Sequence, residues 1–385
     1  MTSLRLIVRN AGRHKLRTAL TMLGLAIAVL AFAILRTVVG AWYAGVEASQ
    51  QNRLVTRNAV SLAFSLPLAY RDRIAQAPGV TGVSYGNWFG GVYLDEKHFF
   101  AQFAVDAPTW FRIFSEYHVP PDQMEAFSRE RNAAVVGEKL AARYGWRLGD
   151  TVRLRGTFYP GDWDFVIRGL YTTTLKSADN TQFFFHWEAL DQFVRRTLPD
   201  TAGQVGFYTF TIDRSREPAD VSRAVDALFA NSLAETLTET EREFQMGFVS
   251  MTEAILMAIQ VISILIVGLI LIVLANTMAM AARERVTEYA VLKTLGFSPG
   301  RIARLIMGES LLIAAAGGAV GVIAVFPIVR AFGAAVGSFF PVFELSLLTV
   351  AVAVGLALSS AIAAAAVPAW TVARTTIADG LRRVG

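Results

Sequence analysis

From Ile255 to Ala282 the chain runs 28 residues without one charged side chain. As a helix rising about 1.5 Å per residue, such a run exceeds a hydrocarbon core roughly 30 Å thick. It can hardly be anything but a membrane span. Three further runs reach the roughly 20 apolar residues a crossing needs: Thr18–Tyr43, Ile302–Phe332 and Leu345–Trp370. Their isolated charges, Arg36, Glu309 and Arg330, are expected toward span ends, where long side chains reach the interface; a buried pair between Arg36 and Glu309 is the other reading. Only 17% of the residues are charged, against about 25% in soluble domains.

Arg5, Arg9, Arg13, Lys15 and Arg17 precede the first apolar run. That run is about twice the length of a signal-peptide core and lacks a clear small-residue cleavage site, so it reads as a retained helix. Orientation follows from the remaining basic residues. The 283–304 loop holds Arg283, Arg285, Lys293, Arg301 and Arg304, the tail holds Arg374, Arg382 and Arg383, and the 333–344 loop holds none. The positive-inside rule puts both termini and the 283–304 loop in the cytoplasm and residues 45–250 outside. Of the 36 basic and 31 acidic residues, 21 and 25 lie within 45–250, which leaves that segment near −4 and the remainder near +9. The positive net charge therefore reflects membrane topology, and nucleic acid is not an expected partner.

The expected organisation is a cytoplasmic segment (1–17), a first span (18–44), an outer domain (45–250), a second span (251–282), a cytoplasmic coupling helix and turn (283–301), a third span (302–332), a short outer loop (333–344), a fourth span (345–370) and a cytoplasmic tail (371–385). The fold class is thus membrane α-helical plus an α+β outer domain of two lobes. Residues 45–110 and 201–250 form the first lobe, and 111–200 are inserted into it. Within the outer domain Ala59–Ser65 reads as a strand, Pro67 as the first position of a helix, and Phe207–Ile212 as a strand. Glu138–Tyr144 and Pro218–Ala230 read as helices, and Leu233–Met251 as a stalk helix running into the second span. With no cysteine in the chain, that domain is held by its core alone.

The cytoplasmic segment Ala282-Arg283-Glu284-Arg285-Val286-Thr287-Glu288-Tyr289-Ala290-Val291-Leu292-Lys293-Thr294-Leu295-Gly296-Phe297-Ser298-Pro299 carries the most information. Glu284 and Glu288 share a helix face, while Val291, Leu292 and Leu295 form an apolar patch. Gly296 fits a left-handed position just past a helix end, and Ser298-Pro299 fits the start of the next helix. From the residues alone, a charged interfacial loop is as good a reading as a lever.

The segment resembles the signature of MacB/FtsX/LolC-type permeases, most nearly MacB-like ones with a large periplasmic domain. Lys15-Leu16-Arg17-Thr18-Ala19-Leu20, Glu309-Ser310, Gly317-Gly318 with Gly321, Pro368-Ala369 and Ile377-Ala378-Asp379-Gly380-Leu381 are similar to further stretches of that family. So is Val135-Val136-Gly137-Glu138 through Gly149-Asp150-Thr151-Val152 in the outer domain. The resemblance implies an inner-membrane subunit of a bacterial ABC-type machine that works as a dimer with a second copy or homologue. Its implied partners are two copies of a separate cytoplasmic ATPase, membrane lipids and a periplasmic adaptor. ATP and magnesium would sit on the ATPase, and no cofactor is expected in this chain.

The residues assigned to ATPase coupling are Arg283, Glu284, Arg285, Glu288, Lys293, Leu295 and Gly296; the plain alternative is helix solubility and capping. Gly317, Gly321, Gly355 and Ser359 are assigned to helix packing or a dimer seam, since small residues four apart let helices approach in lipid. No catalytic or metal site is expected. The chain contains no Gly-x-x-x-x-Gly-Lys-Ser/Thr loop, and His14, His98, His118 and His186 are scattered. Trp88, Phe89, Trp110, Phe111, Trp163 and Phe183–Phe185 could line an apolar cargo site, although core packing is the commoner role for such residues. Export of a lipid, lipoprotein, peptide or drug-like molecule is the leading function. A relay that controls a periplasmic hydrolase or sensor is the alternative, and a membrane-anchored enzyme has no constellation behind it.

Overall fold

The computed structural model describes residues 13–175, 178–336, 340, 342–374 and 376, so the readings made on Arg5, Arg9, Ile377–Leu381, Arg382 and Arg383 fall outside the described residues. The chain divides into one unit of residues 1–41, 253–335 and 343–385 and another of 42–252 and 336–342. It begins with α1 (Lys15–Ala48), β1 (Arg53–Asn58), β2 (Leu66–Pro67), α2 (Tyr70–Ala75), β3 (Val80–Trp88) and β4 (Gln102–Val105). Next come α3 (Ala107–Ile113), β5 (Tyr117–His118), α4 (Pro121–Arg129), β6 (Ala133–Gly137), α5 (Glu138–Tyr144), β7 (Thr151–Gly156), β8 (Gly161–Thr173) and β9 (Phe183–His186). The outer unit closes with α6 (Trp187–Thr197), β10 (Gln204–Val205), β11 (Phe207–Ile212), α7 (Pro218–Phe229), β12 (Thr236–Thr240) and α8 (Glu241–Ser250). Four helices follow: α9 (Glu253–Glu284), α10 (Val286–Thr294), α11 (Pro299–Val336) and α12 (Leu347–Arg374).

Ten strands of the outer unit make one mixed sheet in the order β12-β1-β11-β3-β4-β9-β6-β8-β5, with β7 on β8. Residues expected in the first lobe supply β12 to β4, and the inserted residues supply the rest. The parallel pairing of β4 with β9, which sets Val105 beside His186, joins them into a single sheet. What lets β9 serve as a central strand is its sequence: Phe183 and Phe185 enter the core on one face and Phe184 the core on the other, all fully buried. A strand buried on both faces reads as a continuous apolar run rather than an alternating one. Most of the aromatic residues considered as a cargo lining are therefore core. Phe89, Phe165 and Phe185 meet at ring centroid distances of 4.4–6.2 Å, while Trp88 stays 38% exposed.

Three local expectations are corrected. The first strand is Arg53–Asn58, and Ala59–Ser65 is irregular with Val60 and Phe64 exposed. The strand carries two arginines, and each is paired, Arg57 with Glu239 at 2.9 Å and Arg53 with Glu116 and Glu241. Pro67 belongs to β2, opposite Gln204, and the helix begins at Tyr70. The continuous stalk helix is replaced by β12 and α8, with α8 ending at Ser250 and α9 starting at Glu253. Alternating Thr236, Thr238 and Thr240 favour a strand, which pairs with β1. Thr240 and Glu243 then start α8 through reciprocal side-chain to backbone hydrogen bonds.

In the other unit, α1, α9, α11 and α12 are each long and apolar enough to cross a membrane. Leu25, Val29 and Phe32 of α1, Leu274 and Met278 of α9, Ile313 and Ala314 of α11 and Ala353, Ala357 and Ala361 of α12 share one core. The Ser310 hydroxyl donates to the Ala361 carbonyl at 2.9 Å, tying α11 to α12.

Candidate functional site

The helix expected from Ala282 onward is interrupted at Arg285. That residue leaves helical geometry (φ −107°, ψ 13°) and α10 starts after it. Its guanidinium donates to Glu309 of α11 at 2.8 Å, with both side chains buried. This corrects the Arg36–Glu309 pairing: Arg36 is exposed. A buried glutamate needs a cation it can reach, and the residue that opens α10 supplies it.

Glu284 and Glu288 are exposed, and both are paired within the chain. Arg17 grips Glu284 with two hydrogen bonds of 2.7 and 2.8 Å, and Arg13 donates to Glu288 at 2.6 Å. His14 lies 3.8 Å from Glu284. The sequence held a signal for this: two arginines four apart and two glutamates four apart are complementary rows. Lys293 donates to the carbonyls of Val372 and Ala373 at 2.9 and 3.1 Å, meeting the unsatisfied last turn of α12. The short helix α10 is thereby tied to α1, α11 and α12, while Arg283 is exposed.

On its inner side α10 buries Tyr289 against Ile302 and Ile306 of α11 and Ala369 and Val372 of α12, and Ala290 is buried beside it in sequence. Burial pushes the Tyr289 hydroxyl above its usual value. Val291 and Leu295 point outward at 45% and 71% exposure. Val291 borders a cleft of about 370 Å³ that is also lined by Thr287, Glu288, Tyr289, Leu292, Phe297 and Leu305. Gly296 ends the helix at φ 89°. Its amide donates to Lys293 at 3.1 Å and that of Phe297 to Leu292 at 3.0 Å, the paired bonds of a Schellman stop. The Ser298 carbonyl then accepts from Arg301 at 2.9 Å as α11 starts at Pro299.

Gly317 and Gly321 lie against α1. A Cβ on Gly317 would stand 2.9 Å from the Met22 carbonyl oxygen, and one on Gly321 2.8 Å from that of Ala26. Gly355 and Ser359 are exposed on α12, and a Cβ on Gly355 would meet nothing within 4 Å. Among the described residues no three His, Asp or Glu side chains gather as a metal site. His186 donates through Nε2 to the Phe127 carbonyl at 2.7 Å, and His98 pairs with Asp95 at 2.6 Å.

The family profile described as MacB-like periplasmic core domain matches residues 18–228, and that described as FtsX-like permease C-terminal matches residues 260–377. The chain belongs to the MacB/FtsX-type permease family. No curated protein matches this permease. Among solved structures, the periplasmic region of MacB from Actinobacillus actinomycetemcomitans is 9% identical at a TM-score of 0.38, over 53% of this permease and 95% of that chain. The extracellular domain of the noncanonic ABC-type transporter YknZ from Gram-positive bacteria is 10% identical at 0.36, over 49% and 100%. A domain of a putative permease protein from Porphyromonas gingivalis is 11% identical at 0.34, over 49% and 90%. The permease is a multi-pass membrane protein of the ABC type with a periplasmic domain.

Proposed function

We propose that this permease is the membrane subunit of an exporter driven by a separate ATPase that docks on α10. One observation carries the reading. The helix is held through Glu288 by Arg13, just ahead of α1, through Arg285 by Glu309 of α11 and through Lys293 by the end of α12, while Arg17 of α1 grips Glu284 at the adjoining end of α9; yet Val291 and Leu295 stay exposed, Val291 beside a cleft. A push on that outward face would reach three membrane helices at once. The basic flanks put α10 and both termini in the cytoplasm and residues 45–250 in the periplasm. In this reading the chain acts as a dimer with two ATPase subunits in the inner membrane, and moves a lipid, lipoprotein, peptide or drug-like molecule outward from the periplasmic side.

Because the chain has no cysteine, single cysteines test both halves of the proposal in intact cells. Leu233→Cys should react with an impermeant maleimide from outside and Leu295→Cys only after permeabilisation. A photo-crosslinking residue at position 295 should capture an ATPase subunit. Labelling of position 295 from outside, or capture of no ATPase by a correctly inserted chain, would overturn the proposal.

A further inference from the structure

Arg53 stands where the chain leaves α1 for the outer sheet, and it is only 2% exposed. All five of its N–H groups are engaged. Nε donates to Glu241 at 2.9 Å, and Nη2 donates to Glu241 at 2.8 Å and to Glu116 at 2.6 Å. Nη1 donates to Glu116 and to the Ile113 carbonyl, both at 3.1 Å. The guanidinium plane lies 4.1 Å over the Phe114 ring. Glu241 also accepts the Gln50 amide at 2.7 Å.

These partners come from three separate places in the chain. Gln50 and Arg53 follow α1. Glu241 is the first residue of α8, which leads toward α9. Ile113 and Phe114 end α3, which packs on β3, and Glu116 leads directly into β5 of the half that carries β5 to β9. The two chain ends that connect this domain to membrane helices are thus pinned to each other and to the far half by one planar group. Lysine, with three donors on a single nitrogen, cannot bridge two carboxylates in this way.

We infer that Arg53 is a positioning residue, the joint that makes the α1 end, the α8 start and the Glu116 half of the outer domain move as one body. Without it the two chain ends would remain attached to β1 and β12, and the half built on β5 to β9 would follow through the β4–β9 pairing, the Trp187–Asn87 hydrogen bond and the shared core, with no direct tie to the α1 end and the α8 start at Arg53. The joint's part in transmitting a stroke rests on the proposed permease function. The joint itself does not.

Spin labels at Glu47→Cys and Glu125→Cys, both exposed, report the distance between the α1 end and the far half. A second pair at Glu47→Cys and Arg223→Cys lies within the near half. In the full chain in nanodiscs, without nucleotide or partner, both pairs should give single narrow distance distributions. Glu116→Gln should broaden the first and leave the second unchanged. Should that variant fold poorly, Arg53→Met with Glu116→Gln and Glu241→Gln removes every buried charge of the cluster and should restore the melting temperature. It should not restore the narrow 47–125 distance. A 47–125 distribution as narrow in this triple variant as in the parent would overturn the inference. Failure of ATPase docking leaves these distances untouched, and failure of the joint leaves crosslinking at position 295 untouched.

Discussion

Arg285 and Glu309 lie 24 residues apart in sequence and 2.8 Å apart in space, each less than a tenth exposed. The pair joins the residue that opens α10 to the interior of the third long helix. Its geometry makes the helix break at Arg285 intelligible, because a continuous helix through residue 285 is given up where the side chain turns to meet Glu309.

Glu309→Gln should therefore destabilise the membrane unit by about 3–5 kcal/mol, since it leaves a buried guanidinium without its counter-charge. Arg285→Met with Glu309→Leu should recover most of that loss. Thermal melting of the detergent-solubilised chain checks both. If the single and double variants melt alike, the two residues do not act as a pair.

At Gly296 the restriction comes from the backbone alone. Its φ of 89° is costly for a residue with a Cβ, while the space around it is open. Gly296→Ala and Gly296→Val should thus lose similar amounts, about 1–2 kcal/mol of local stability, and Gly296→Asn less. Membrane insertion should be unchanged in all three. Stimulation of the partner's ATP hydrolysis should fall most in the alanine and valine variants. Valine far worse than alanine would point to crowding instead.

The two glycine sets should respond differently to substitution. Gly317→Val and Gly321→Val place side chains on the backbone of α1 at Met22 and Ala26, so they should separate the helices and lower the melting temperature sharply. Gly355→Val, on an open face, should leave the melting temperature within about 0.5 kcal/mol equivalent of the parent.

Local signals in the sequence translated well into structure. Glu138–Tyr144 and Phe207–Ile212 form as read, because a short amphipathic helix and an apolar β-branched and aromatic run are set by neighbouring residues. The left-handed Gly296 and the helix start at Pro299 were legible for the same reason. What was not legible depends on partners distant in the chain. The first strand was read at Ala59–Ser65, while the actual strand at Arg53–Asn58 holds Arg53 through Glu116 and Glu241, 63 and 188 residues away. Phe183–Phe185 gave no hint that β9 would join the two halves of the sheet. At the candidate site, Glu284 and Glu288, read as a face for a second protein, pair with Arg17 and Arg13 while staying exposed, and the partners were not legible because they lie 267 and 275 residues away. Val291 and Leu295 add an apolar edge beside them.

Asp106 offers a test of the outer domain's electrostatics. It is 4% exposed, and burial raises its carboxyl above the usual 3.8, although hydrogen bonding by Thr109 and the charge of Arg71 at 4.0 Å pull it down. A carboxyl that holds its proton more tightly folded than unfolded contributes stability that is complete below pH 3.8. That contribution is lost as the pH rises through the folded value. Asparagine keeps the neutral shape at every pH, so Asp106→Asn should compare least favourably with the parent in acid and progressively better toward neutrality. Glu188, held below its usual value mainly by hydrogen bonding with His186, faces the same cluster with Tyr85, but it is present in both proteins and cancels from the difference. Melting curves of the full chain from pH 3.5 to 7 give the comparison directly. A parent-to-variant gap that stays constant over that range would show that Asp106 does not bury its charge at a cost.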